Sequence, residues 1–138
     1  FWQAQFIQID ALFSALLFAA FGAQMLVELD SERRERWVWT FQVVLSLAVL
    51  TKGPLALVLT GLVAIVRCVL DRSARPVLDL KPFRGALVLA AIVVPWGVLA
   101  VRAGGPGYGY GLIVKQNWDR FFHAFDHIKP WWFYLESI

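Results

Sequence analysis

Apolar positions along the chain gather into four blocks separated by short polar stretches. The first is residues 11–27 (ALFSALLFAAFGAQMLV) and the fourth is 85–101 (GALVLAAIVVPWGVLAV); between them lie 37–51 and 54–70. At ~1.5 Å per residue, a 17-residue helix reaches about 26 Å, close to the ~30 Å of a hydrocarbon core once interfacial flanks are added. The apolar residues cover the whole circumference of each predicted helix rather than one stripe, as in helices that face lipid or are buried on all sides. A soluble bundle would need a polar stripe on every helix, and the blocks offer only scattered Ser, Thr and Gln. The pattern therefore predicts an all-α protein, a polytopic transmembrane helix bundle.

Composition agrees. Of 138 residues, 59% are hydrophobic and only 17% charged, against roughly 25% charged in soluble domains. The chain opens at Phe1 and ends in the aromatic-rich PWWFYLESI, so it is expected to be an internal stretch of a longer protein. No basic n-region precedes the first block, and no signal peptide is expected. Cys68 lies in an apolar run and reads as a small buried hydrophobe.

Charge adds a direction. Arg33, Arg34 and Arg36 follow the first block, and Arg67, Arg72, Arg75, Lys81 and Arg84 separate the third from the fourth. These eight of the thirteen basic residues fall on one side of the predicted membrane, which the positive-inside tendency makes cytoplasmic. The net charge of +3 thus speaks for topology, and no nucleic-acid partner is expected. The opposite, outer side then collects residues 1–10, the turn at Thr51–Pro54, and residues from Arg102 to about Pro130.

Lys52 stands out in SLAVLTKGPLALVL, residues 46–59, because it falls at the outer end of a hairpin with short arms. A recessed ammonium costs a few kcal/mol unless it snorkels to the interface or meets an anion. Gly53 and Pro54 are suited to stopping one helix and starting the next. Asp10, just ahead of the first block, reads equally as a helix N-cap and as a binding or structural residue.

The segment 102–130 reads as an outer loop. Its glycines at 104–111 exclude a regular helix, and no strand or Gly-Lys-Ser/Thr makes it a phosphate loop. Residues 112–125 return to helical spacing with Trp118, Phe122 and Phe125 on an apolar strip, which predicts an amphipathic interfacial helix. Residues 131–138 would start the next spanning helix. His123 and His127 have a spacing that can hold a metal with Asp119 or Asp126, but no glutamate completes the metalloprotease pattern. A polar interfacial face is the plainer reading.

Three pieces in this order, LAVLTKGPLALVL (47–59), PW (95–96) and QNWDRFFHAFDHIKPWWFYL (116–135), resemble the polyprenyl-phosphate-sugar-dependent glycosyltransferases of the GT-C class. These include protein O-mannosyltransferases and the bacterial lipid A aminoarabinose transferase. The family's outer-loop pattern falls here on Gln116, Asn117, Arg120, Phe121, His127, Pro130 and the aromatics Trp131 to Tyr134. The resemblance implies a membrane enzyme moving a sugar from a polyprenyl-phosphate donor to a lipid, protein or glycan acceptor at the outer membrane face, in a bacterial inner membrane. It implies that Lys52 and Arg120 bind the donor phosphate and neutralise it as it leaves, with Asp10, Gln116, Asn117 and His127 as further substrate-site candidates. The family's catalytic acid belongs to an upstream loop, so no catalytic residue is expected within this chain. The family glutamate is replaced by Gln116, and Asn117 stands where the aminoarabinose enzymes carry a metal-associated histidine. No cofactor is expected, and a divalent metal is not expected to be required. Readings from other classes are a transporter or flippase subunit for a lipid-linked substrate, which inverted hydropathy repeats would favour, and a scaffold subunit without chemistry.

Overall fold

The computed structural model describes the backbone from Trp2 to Gly105 and the side chains from Ile9 onward. Every regular element among these residues is helical: α1 (Trp2–Leu29), α2 (Arg34–Lys52), α3 (Leu55–Leu70), α4 (Arg75–Leu78) and α5 (Pro82–Gly104). The chain divides inside α5, between Trp96 and Gly97. Of the second unit, the described residues are the last turns of α5 and Gly105, which takes a positive φ of 83°.

In the first unit α1 packs along α2, and α2 turns back into α3. The faces that meet are built from small residues. Ala20 and Ala23 lie with Val27, Val38, Phe41 and Ala64 in one buried cluster. A second gathers Phe13 with Ala48 and Ala56. Small side chains let helix backbones approach closely, so dispersion rather than bulk fills the seam. Polar groups share this interior: Ser46 Oγ donates to the Gln42 carbonyl at 2.7 Å and Thr60 Oγ1 to the Ala56 carbonyl at 2.8 Å, each one turn back. Many of the large apolar residues point outward instead, with Phe18 76%, Leu29 72%, Phe83 90% and Leu87 71% exposed.

Local chemistry explains the helix boundaries. Asp30 breaks α1 from α2 by accepting from the Arg33 backbone N–H and the Trp37 indole N–H, each at 3.1 Å. Gly53 ends α2 at φ 70°, ψ −150°, a region only glycine enters cheaply, while its N–H still donates to the Val49 carbonyl at 2.8 Å. Pro54 then precedes α3. The hairpin expected at Thr51–Pro54 is therefore present, with Gly53 and Pro54 in the expected places.

Other boundaries differ from those read in the sequence. Helix α1 begins at Trp2, not at residue 11, because Gln and Ala in WQAQFIQID propagate a helix well. Asp10 consequently lies inside α1 and is not an N-cap. Helix α5 runs from Pro82 to Gly104 rather than over 85–101, since proline suits a first helical position and Arg102 favours the last turn. The one-turn α4 within 67–84 carries no periodic signal in its four residues, RPVL. The interfacial helix and the start of a further helix at 131–138 fall outside the described residues.

Two stretches are long and apolar enough to cross a membrane, Ile9–Leu29 with mean hydropathy 1.8 and Arg75–Gly104 with 2.1. Helix α3 is apolar but has 16 residues, and α2 opens on the charged Arg34-Glu35-Arg36.

Candidate functional site

The hairpin turn places Lys52 on the final residue of α2, where a cation complements the partial negative charge of the helix C-terminus. Its ammonium meets the Asp10 carboxylate of α1, with Lys52 Nζ 2.5 Å from Asp10 Oδ1. It also lies 5.4 Å from the centre of the Phe13 ring, within reach of a cation–π attraction. Asp10 and Phe13 are three apart and so neighbours on one face of α1. Phe13 is itself buried against Ala48 and Ala56, which fixes the surface under the ammonium. The Lys52 side chain remains 35% exposed and that of Asp10 64% exposed. The site is a charge-compensated ammonium, anchored by residues of α1 and still partly exposed.

Of the residues singled out in the sequence, Lys52 and Asp10 are thus brought together. The pairing itself was not legible there, since 42 positions separate them and only the packing of α1 on α2 joins them. Phe13 was missed for a different reason: an aromatic in an apolar helix reads as core, which it also is. Gln116, Asn117, Arg120 and His127 lie outside the described residues, as does the His123–His127 pair.

The other end of the first unit is crowded with charge. Arg67 pairs with Glu28 of α1 and, at 3.5 Å, with Asp71. Arg34 reaches Asp79 at 3.6 Å, and Glu35 takes both Lys81 and Arg84, the latter at 2.8 Å. Hydrogen bonds first from Lys81 and then from Arg84 hold the Glu35 carboxyl below its ordinary value of 4.5. The Trp37 indole and the Arg33 backbone likewise lower Asp30. Beneath these pairs, buried Gln42 donates from Nε2 to the Leu80 carbonyl at 3.0 Å and accepts from Arg84 Nε at 3.2 Å. Arg84 stacks 4.5 Å from the centre of the Trp39 ring. An open cleft of about 430 Å³ sits at this end, lined by Glu28, Asp71, Ser73, Arg75, Pro76 and Asp79. Its carboxylates are largely engaged by Arg67 and Arg34. Among the described residues no group of three or more His, Cys, Asp or Glu is arranged to hold a metal.

No family model, no curated protein and no solved structure matches this chain.

Proposed function

We propose that this chain is part of a membrane glycosyltransferase that uses a polyprenyl-phosphate-linked sugar, with Lys52 on the donor phosphate. The observation that carries the reading is the position of Lys52. It ends a helical hairpin away from the arginine-bearing segments and stays accessible beside a buried aromatic. The three-piece resemblance, LAVLTKGPLALVL, PW and QNWDRFFHAFDHIKPWWFYL, supplies the class of donor.

The polytopic membrane bundle belongs to the same proposal. It is supported by many large apolar side chains facing outward while alanine, serine, threonine and glutamine share the seams with a few larger residues such as Phe13 and Phe41. Water would disfavour that distribution, whereas lipid accepts it. The charged segments at 28–36 and 67–84 are assigned to the cytoplasm on their arginines. Arg120 joins Lys52 as the second phosphate ligand in this reading.

The test is sugar transfer by the full-length protein in membrane vesicles supplied with polyprenyl-phosphate sugars. Donor-dependent transfer that falls about ten- to a hundredfold in Lys52→Ala supports the reading, as expected for a charge-assisted contact of ~1.5–3 kcal/mol. Transfer by a well-accumulated Lys52→Ala protein at the wild-type rate would remove Lys52 from the phosphate.

A further inference from the structure

We infer that Asp10 is a positioning residue for the donor site: with Phe13 it holds the Lys52 ammonium where a phosphate oxygen can meet it. This rests on the proposed phosphate role of Lys52 and adds a residue on a different helix to it. A lysine ends in a freely rotating chain of four carbons and binds phosphate as a point charge, so its position has to come from its surroundings. Here the surroundings are specific. Asp10 Oδ1 lies 2.5 Å from Lys52 Nζ, and the centre of the Phe13 ring lies 5.4 Å from it. Both are carried by α1, whose packing on α2 includes the buried Phe13–Ala48–Ala56 cluster. The ammonium has three donors, of which Asp10 takes one, and 35% of the side chain stays open, so a phosphate can join without displacing the carboxylate.

Two roles for Asp10 predict opposite signs. A carboxylate that only neutralises Lys52 repels an incoming phosphate, and removing its charge would tighten donor binding. A carboxylate that aims the ammonium makes binding weaker when it is lost, because a displaced catalytic or binding group forfeits alignment. The partial exposure of both side chains limits what the pair contributes to folding, so its loss is expected to show in kinetics rather than in accumulation.

The experiment is a double-mutant cycle on the full-length protein in vesicles, measuring donor KM and kcat for wild type, Asp10→Asn, Lys52→Ala and the pair. Asp10→Asn is expected to lower kcat/KM about three- to tenfold with the loss mainly in donor KM. Asp10→Glu is expected to recover part of it. In the Lys52→Ala background, Asp10→Asn is expected to add little, since no ammonium is left to aim. A lower donor KM in Asp10→Asn, unchanged kinetics, or an additive cycle would overturn the positioning role while the glycosyltransferase reading stands. Absence of donor-dependent transfer by wild type would overturn both.

Discussion

Gln42 is the residue whose loss the first unit is expected to feel most at a single side chain. It is buried in α2, yet it reaches the backbone where α5 begins, donating to the Leu80 carbonyl and accepting from Arg84. Gly85 lies against it, but a Cβ there would stand 3.6 Å from Gln42 Cγ, an ordinary contact. Gln42→Leu should therefore destabilise by about 1–3 kcal/mol, because it leaves a carbonyl and a guanidinium N–H without their partner. Thermal unfolding of the detergent-solubilised protein measures this. Gly85→Ala should instead be neutral or mildly stabilising, since the space exists and alanine favours the helix by roughly 0.5–1 kcal/mol. Glu35 gives the matching pH prediction. Its folded-state pKa lies below the ordinary 4.5 because Lys81 and Arg84 donate to it. The unfolded state then binds more protons as pH falls, so the contribution is present above about 4.5 and is lost below it. Asp30, lowered from 3.8, adds loss in the same direction slightly further down. A wild-type stability advantage over Glu35→Gln that persists unchanged to pH 3 would contradict this assignment.

At the scale of elements, the α2–α3 hairpin was the most legible part of the chain. A charge, a glycine and a proline interrupt an apolar run, and each has its own physical reason to be there. Lys52 complements a helix end, Gly53 takes a backbone angle closed to other residues, and Pro54 leads into the next helix. Gly53→Ala should accordingly cost about 1–3 kcal/mol from the strained backbone alone. Because the strain falls next to Lys52, donor KM should rise together with the loss of stability, whereas Gly85→Ala should leave KM unchanged. Parallel melting and transfer assays on the two variants separate these outcomes. Where the reading of elements fell short, the causes were local. Of the two readings of Asp10, the helix cap fails because the three glutamines before it carry α1 back to Trp2. Helix α4 is a single turn without an apolar period to detect. The cross-helix contacts at Phe13, Gln42 and Trp39 depend on which faces of α1, α2 and α5 meet, and no local pattern encodes that.

At the scale of the molecule, the first unit binds its two charged segments into one end. Glu28 and Glu35 belong to the first and the start of α2, whereas Arg67, Lys81 and Arg84 belong to the second, and ion pairs join them across the bundle. Arg34 with Asp79 adds a fourth link. Individually such exposed pairs contribute little, but they require that 28–36 and 67–84 share a side of any membrane the protein crosses. The crowding of eight of thirteen basic residues into these two segments leads to the same placement by a different route. Ion pairing joins the two segments, whereas the proposal that they face the cytoplasm rests on the arginine bias. Cysteines placed at Glu32 and Ser73 of the full-length protein, in a Cys68→Ala background, should both be shielded from a membrane-impermeant maleimide in intact cells. Both should react in inside-out vesicles. If one reacts from each side, the packing that joins Arg67 to Glu28 is wrong. If both react from outside, the packing survives and the orientation inverts. Lys52, at the far end of α2, would then face the cytoplasm, where a donor bound at the outer leaflet could not reach it.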